Sequence, residues 1–421
     1  MREICPADQC TGCYACYNAC CHQAINMTEN ELGHVHPQIV EDKCVGCNLC
    51  QMSCPVVNKP LLVYPDFCYA VALPKDKDLE FSASGGAATA LMRAIINENG
   101  IVYGCTGEDI FHVHHVRVDS LQGIEELRGS KYVQSEVGLI YKSILADLKS
   151  DKTVLFTGTP CQVAGLKVFL RKDYPKLITL DLVCHGVPSQ KMLTENIHYY
   201  TSENDGKNIK VSFRRKNCGS SVSTKLNSAR IEFGWFLQTN QPYLDISRKF
   251  YEDSYMFGFL QCLTFRDSCY TCRYATSARC SDITLADFWG LGDDANYEKG
   301  KGVSLCLINT EKGSSLFDKV RDKVNAQERD VVEGLIGNGQ LQRPSCKNNA
   351  HALFRCLYPK FGLKVAIEKS LKKEKFKLKV YKLFYDSHLF SNPKALINMI
   401  GMFGLFENDD KVQKRMNDII N

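Results

Sequence analysis

Eight cysteines near the start of the chain form two runs with the same spacing. In each run three cysteines are separated by two residues, and a fourth follows after three more residues. Three closely spaced thiolates can hold three corners of an iron–sulfur cube, and in two-cluster ferredoxins the fourth cysteine crosses to the other cube. The spacing therefore predicts two [4Fe–4S] clusters with crossed ligands. One cluster takes Cys10, Cys13, Cys16 and Cys54, and the other takes Cys44, Cys47, Cys50 and Cys20.

Zinc and disulfides are the alternatives for these cysteines. Structural zinc favours two separated pairs of ligands, which two dense runs of four do not provide. The first residues lack the apolar core of a secretion signal, so the 22 cysteines indicate metal ligation in a reducing cytosol rather than a disulfide framework. Two neighbouring thiols are spare: Cys21 stands where the first run would usually carry proline, and Cys5 has no assigned place.

Four later cysteines stand where an α/β core usually binds ligands. Cys161 follows Gly-Thr-Pro at the start of a predicted helix, Cys184 ends a predicted strand, and Cys269 and Cys272 form a C-x-x-C. Strand ends and helix starts of such a core lie on one rim. A third [4Fe–4S] cluster is one interpretation. A redox-active C-x-x-C and simple packing of cysteines are the others, and Cys280 is a rival fourth ligand.

The pattern along the chain predicts three regions. Residues 1–60 form a small ferredoxin-like dicluster domain, residues 66–345 a mixed α/β core, and residues 346–421 a helical, lysine-rich tail. Strands alternate with helices in the first part of the core, which favours at least partly parallel pairing and an α+β or α/β fold class. The expected strands are 67–73, 101–104, 113–118, 153–157, 177–183, 209–214 and 229–233, and the expected helices are 84–99, 135–149, 161–172 and 244–260.

Composition narrows the class of protein. Of 421 residues, 44% are apolar and 24% charged, as in ordinary soluble proteins, and no apolar run long enough to span a membrane occurs. We therefore expect a cytoplasmic protein, and a net charge of +5 gives no reason to expect nucleic acid. Nine lysines against two glutamates lie between residues 360 and 382. This pattern is typical of a solvated helix face, and docking to an acidic partner or an anionic membrane is the alternative.

Five segments in order resemble the beta subunit of coenzyme F-420 (deazaflavin) hydrogenases and dehydrogenases, with the resemblance running from about residue 66 to 345. The segments are 84–86, 127–134, 156–166, 181–186 and 281–290. The resemblance implies a core that binds FAD and a [4Fe–4S] cluster and moves electrons between iron–sulfur centres and a hydride carrier. It makes Cys161, Cys184, Cys269 and Cys272 the preferred ligands of the third cluster.

Candidate flavin-binding residues lie in two of these segments. Ser84, Gly85 and Gly86 open a predicted helix, whose free N–H groups suit phosphate, although a tight turn is the plainer interpretation. The second segment offers cations for phosphate or for reduced flavin, which could equally be ordinary ion pairs, and a glutamine for the flavin edge or a helix cap. Its candidates are Arg128, Ser130, Lys131 and Gln134.

Two further residues have a predicted role beside the flavin. His185 is a candidate proton donor near the flavin, and a core histidine is the alternative. Trp289 could pack against the flavin or the third cluster, or simply end a core strand.

The sequence predicts an FAD- and iron–sulfur-dependent oxidoreductase, because a flavin joins one-electron clusters to two-electron hydride chemistry. Its expected partners are a redox protein or ferredoxin and a small hydride donor or acceptor. The alternatives are an electron-transfer subunit without its own organic substrate, serving a partner enzyme such as one of polysaccharide biosynthesis, and a core that has lost the flavin.

Overall fold

The computed structural model describes residues 3–74, 79, 82–201, 209–216, 231–240, 243–297 and 302–378. Its N-terminal module contains the helices α1 (Ala15–Ala19) and α2 (Leu49–Met52) and the antiparallel strands β1 (Ile25–Glu29) and β2 (Val35–Ile39). The two cysteine loops share the same backbone conformation. Gly12 and Tyr14 flank Cys13 with φ of 63° and 63°, and Gly46 and Asn48 flank Cys47 with φ of 71° and 59°. These left-handed residues turn each loop tightly around its cysteines.

An eight-stranded mixed sheet forms the core, in the order β13-β3-β12-β11-β7-β6-β4-β5. Strands β4, β6, β7 and β11 pair in parallel, and β12 is antiparallel to both β11 and β3, so β3 runs in the same direction as those four. The strands are β3 (Phe67–Ala72), β4 (Ile101–Thr106), β5 (His114–Val118), β6 (Val154–Gly158), β7 (Leu177–Leu182), β11 (Ile283–Asp287), β12 (Ser304–Ile308) and β13 (Asn325–Arg329).

Alternate residues of each strand point to opposite faces of the sheet, and helices cover both faces. Val102 and Leu155 belong to an apolar cluster with α3 (Ala87–Asn97), α4 (Leu121–Leu127) and α9 (Glu311–Arg321). Tyr103 and Phe156 belong to a second cluster with α5 (Ile140–Lys149) and α6 (Pro160–Leu170). A mixed α/β core with partly parallel pairing is therefore confirmed.

A second, three-stranded antiparallel sheet contains β8 (Lys210–Lys216), β9 (Ile231–Asn240) and β10 (Tyr243–Lys249). Its apolar residues pack with α7 (Gln190–Tyr200), α8 (Ser254–Leu260) and α11 (His351–Ser370). The short helix α10 (Val331–Ile336) packs beside the large sheet.

Most expected elements lie within a few residues of those observed, and one expectation was wrong. The chain forms β10 and then the shorter helix α8 where a single helix over 244–260 was expected. The first half of that segment alternates apolar Leu244 and Ile246 with polar Asp245 and Ser247, which is the period of a strand. The helical tail is borne out as far as residue 378, and residues 379–421 lie outside the described part. The domain limits stay predictions.

No helix in the described part of the chain combines the length and the apolar character needed to cross a membrane.

Candidate iron–sulfur sites and cofactor edge

Two cavities in the N-terminal module divide the eight cysteines in the crossed arrangement. The inner cavity is lined by Cys5 together with the first predicted ligand set: Cys10, Cys13, Cys16 and Cys54. The outer cavity is lined by the second set: Cys20, Cys44, Cys47 and Cys50. Crossing arises because α1 packs against α2, which carries the last cysteine of each run to the other run's loop.

Four predicted ligands line each of the two cavities, which is the ligand count of a [4Fe–4S] cluster. Tetrahedral zinc would need its thiolates ~2.3 Å from one centre. In a [4Fe–4S] cube each thiolate instead binds its own iron, so four thiols around a cavity suit that group.

The four later cysteines belong to three separate segments of the chain, and the fold brings these segments together. The pKa of Cys184 and that of Cys269 are each raised to about 12, mainly by burial and in smaller part by the neighbouring Cys272. Burial also raises the pKa of Cys161, with further contributions from Cys272 and Cys184. Such thiols stay protonated unless a metal takes the proton's place, so cluster loading would release protons.

Cys280 does not join this group. Its Sγ faces the carbonyl oxygen of Pro160 at 3.5 Å, and its pKa is raised to about 12 by burial and then by Asp181, not by the four thiols. It packs in the apolar cluster beside α6. Cys161, Cys184, Cys269 and Cys272 therefore stay the predicted ligand set of a third cluster.

The inner cavity and the core cysteines are direct neighbours. Helix α1 packs against α6, whose first turn carries Cys161, and the Cys13 thiolate adds to the raised pKa of Cys161. In addition, Ser268, the residue before Cys269, donates its hydroxyl to the carbonyl of Cys10 at 3.1 Å. The outer cavity lies farther out, and its Cys47 is exposed. The inner site therefore borders the core cysteines, and the outer site includes an exposed cysteine.

The parallel strands place a second group of residues along one edge of the sheet. Because β3, β4, β6, β7 and β11 run the same way, their carboxyl ends meet there. We call this the cofactor edge, and it comprises residues 82–86, 106–107, 158–161, 183–185 and 287–289. Cys161 and Cys184 lie on it between the predicted flavin-binding segments.

The first flavin-binding segment forms the amino end of α3. Gly86 is the N-cap residue with φ of 84°, and no side chain caps it. A side chain at Gly85 would clash with the carbonyl oxygen of Val71, so the loop presses directly onto β3. The Ser84 hydroxyl donates to the carbonyl of Val303 at 2.9 Å. The uncapped first turn of an 11-residue helix, flanked by small residues, fits a phosphate group.

The cations of the second segment make internal contacts. Arg128 donates to Glu125 at 2.6 Å and to the hydroxyl of Ser82 at 3.3 Å, which links this segment to the amino end of α3. Lys131 donates to the carbonyls of Leu127 and Arg128 at 3.0 and 2.8 Å, and burial lowers its pKa. Ser130 contacts the hydroxyl of Tyr132.

Gln134 lies elsewhere than the flavin hypothesis expects. Its amide nitrogen donates to the carbonyl of Thr11 at 2.9 Å, inside the first cysteine loop, and its oxygen accepts from Arg266 at 3.0 Å. Neither a helix cap nor a flavin contact describes this position. Gln134 instead joins the N-terminal module to the core.

Two basic residues of the cofactor edge were missed from the sequence. Arg214 pairs with Asp287 at the end of β11, and Lys216 donates to the carbonyl of Ser84 at 2.6 Å. They are two residues apart on β8 and therefore share one face of that strand. This spacing was the available signal, but only the fold shows that β8 lies against the amino end of α3.

His185 behaves as a core histidine. Its Nδ1 accepts from the amide of Gln340 at 2.7 Å, its Nε2 faces the sulfur of Cys262 at 3.5 Å, and burial lowers its pKa. Trp289 stands half exposed at the cofactor edge, with its ring stacked 6.4 Å from Phe233.

Two segments of the chain match known protein families. Residues 9–58 match the 4Fe-4S dicluster domain, and residues 151–333 match the family described as the carboxyl-terminal part of the coenzyme F-420 hydrogenase/dehydrogenase beta subunit. The chain therefore carries a dicluster module followed by a segment that matches the coenzyme F-420 hydrogenase/dehydrogenase beta-subunit family. The resemblance read from the motifs is thereby confirmed, and the chain is an iron–sulfur electron-transfer protein of the oxidoreductase class.

Individual relatives are more distant. A subunit of the F(420)H(2) dehydrogenase of Methanosarcina mazei is 25% identical over 373 residues, which cover 83% of this chain and 93% of that protein. A chain of the F420-reducing [NiFe] hydrogenase complex from Methanosarcina barkeri, from its xenon-derivatization structure, is 18% identical and has a TM-score of 0.42, covering 75% of this chain and 93% of that one. We draw no functional conclusion from a structural similarity this low.

Proposed function

We propose that this chain passes electrons between an outside redox partner and an FAD at the cofactor edge, through three [4Fe–4S] clusters. The observation that carries the proposal is the contact of the inner cavity with the core cysteines. Cys13 packs on α6, the helix that begins with Cys161. A free-standing ferredoxin has no need of such a contact, whereas an electron path requires neighbouring sites.

Each cluster has a complete ligand set in the proposal. Cys10, Cys13, Cys16 and Cys54 hold the inner cluster, and Cys20, Cys44, Cys47 and Cys50 hold the outer one. Cys161, Cys184, Cys269 and Cys272 hold the core cluster. The clusters supply one-electron chemistry, and the protein tunes it through hydrogen bonds, charge and burial around the sulfurs.

The basic residues of the cofactor edge support an anionic cofactor there. The amino end of α3 offers N–H groups, Arg128 bonds to its loop, and Lys216 approaches it from β8. A pyrophosphate is the part of FAD that such a group of donors fits. When bound, FAD supplies the exchange between one-electron and two-electron steps. We assign the contact to Ser84, Gly85, Gly86 and Arg128, with Lys131 supporting the end of α4 and Gln134 left out.

The outer site is the proposed contact with the redox partner. Cys47 is exposed and the neighbouring Val45 is 63% exposed, so a partner protein can approach this cavity closely. The substrate at the other end is a hydride carrier. The name of the Methanosarcina mazei relative favours a reduced deazaflavin as the first compound to test.

Anaerobic purification tests the proposal directly. We expect about twelve irons per chain and FAD close to one per chain. Cys161→Ser is expected to lower the iron content by about a third and leave the N-terminal clusters in place. Cys280→Ser is the matched control, because Cys280 is a buried cysteine beside the same helix but outside the four thiols.

The results that would overturn the proposal are distinct. Equal iron in Cys161→Ser and the unaltered protein removes the core ligand set. A purified protein with about eight irons per chain and no flavin would be an electron-transfer protein only. With flavin present, oxidation of reduced deazaflavin or of another hydride donor by the isolated chain, followed through an artificial electron acceptor, separates an enzyme from an electron-transfer subunit.

A further inference from the structure

Arg266 is a buried arginine whose hydrogen-bond partners carry no charge. Its side chain is 1% exposed. Its Nη1 donates to the carbonyl of Cys10 at 3.1 Å and faces Nε2 of His36 at 3.3 Å. Its Nη2 donates to the carbonyl of Val35 at 2.6 Å, and its Nε donates to Gln134 at 3.0 Å.

This pattern differs from the other deeply buried arginine. Arg279, also 1% exposed, is paired with the carboxylate of Asp181 at 2.9 Å. Within the described residues no carboxylate forms an ion pair with Arg266. A guanidinium cannot give up its proton in a protein, and a buried charge without a counter-charge is costly.

Cysteines of two different predicted cluster sites lie close to Arg266. Its side chain donates to the carbonyl of Cys10, a predicted ligand of the inner site. Its carbonyl accepts from the backbone N–H of Cys269, a predicted ligand of the core site, at 2.9 Å. Arg266 therefore stands between a ligand of the inner site and a ligand of the core site.

We propose that Arg266 is the shared counter-charge of the inner and core clusters and raises the reduction potential of both. The inference rests on the proposed function, because it needs clusters at these two sites. Each cluster becomes more negative when it gains an electron, so a fixed positive charge nearby stabilises the reduced form. Arg266 touches the backbone of Cys10 and no reacting atom, and it is therefore a positioning residue.

Arg266→Met and Arg266→Lys form the decisive pair, because the first removes the charge and the second keeps it. Cluster potentials are measured by anaerobic redox titration followed by electron paramagnetic resonance. In Arg266→Met we expect the inner and core clusters to become at least tenfold harder to reduce, which is about 59 mV for one electron. The outer cluster should not move, and Arg266→Lys should retain most of the original potentials.

A control and a second perturbation keep the test open to failure. Arg355→Met removes a partly exposed arginine that pairs with Asp267, and because solvent screens that pair it should shift the two potentials less than Arg266→Met does. If Arg266→Met does not hold its clusters, Gln134→Glu places a carboxylate against Nε of Arg266 and should lower the same two potentials.

The inference is overturned if a fully loaded Arg266→Met keeps all three potentials, if Arg266→Lys shifts them as much as Arg266→Met, or if Gln134→Glu leaves them in place. Failure of the proposed function would show differently, as missing iron in the unaltered protein before any potential is measured.

Discussion

Gly165 lies so close to Cys13 that a methyl group at residue 165 would stand 2.9 Å from the cysteine sulfur. The same methyl group would be 3.1 Å from the hydroxyl of Tyr141. Helix α6 thus meets the first cysteine loop with no side chain between them. A glycine in a helix interior is costly, and here the close approach of a predicted cluster ligand explains it.

Gly165→Ala should therefore disturb the inner site. Over-packing of a tight contact costs about 1–3 kcal/mol in the free energy of unfolding, and here it displaces Cys13 or Tyr141. We expect lower stability and a loss of inner-cluster iron, measured by denaturant unfolding and iron analysis. Gly339→Ala is the control, because a methyl group there would meet nothing within 4 Å. Equal behaviour of the two variants would contradict the close contact.

Asp181 supports the core cysteines through a buried ion pair. It accepts from Arg279 at 2.9 Å and from the hydroxyl of Thr284 at 2.6 Å, and it lies three residues before Cys184. Asp181→Asn leaves the guanidinium of Arg279 buried without a counter-charge, which costs about 3–5 kcal/mol. Denaturant unfolding measures the loss.

Asp173→Asn provides the comparison for Asp181. Asp173 pairs with Lys312 at 2.8 Å, but its side chain is 77% exposed. A pair in that setting contributes about 0–1 kcal/mol. A loss at Asp181 no larger than the loss at Asp173 would show that the buried pair does not carry the stability assigned to it.

The cluster-bearing loops could be predicted because their information is local. Two residues between cysteines, with a glycine before the second cysteine of each run, fix a tight turn whatever the rest of the chain does. The alternation of strands and helices in the core is local in the same sense. The prediction of one helix over 244–260 is wrong because apolar and polar residues alternate in the first half of the segment. That half forms β10, and only the second half is helical.

The contacts that join the module to the core could not be predicted. Arg266 meets Cys10 across 256 positions of the chain, and Gln134 meets Thr11 across 123. Such pairings depend on how the packed elements meet, and no residue type or spacing announces them. The same holds for Arg214 and Lys216, whose place beside the amino end of α3 depends on the second sheet.

His115 should make stability fall as the pH falls. It is buried, its ring stacks on Phe156, and its Nε2 donates to the carbonyl of Thr157 at 3.0 Å. Burial lowers its pKa from 6.5 to about 4. Between these values the unfolded chain binds a proton that the folded chain does not, so stability is present above pH 6.5 and is lost toward pH 4.

The His115 contribution can be isolated by a difference. It amounts to about 2 kcal/mol between pH 7 and pH 5. His115→Gln keeps a donor for Thr157 and removes the titration, so its unfolding free energy should fall less over that interval by about this amount. Other groups, including the buried His34, titrate in both proteins and cancel. Identical pH slopes would contradict the burial of a neutral ring.

Cys5 decides whether the crossed ligand set is correct, because it is a fifth thiol in the inner cavity. It hydrogen-bonds to both Cys10 and Cys54, and these contacts raise its pKa. A [4Fe–4S] cube has four irons to ligate, and four other cysteines line the same space. Cys5→Ser should therefore leave the iron content and the electron paramagnetic resonance spectrum unchanged, whereas Cys54→Ser should lose the inner cluster. The reverse outcome, in which Cys5→Ser loses about four irons and Cys54→Ser loses none, would place Cys5 in the set and leave Cys54 as the spare thiol.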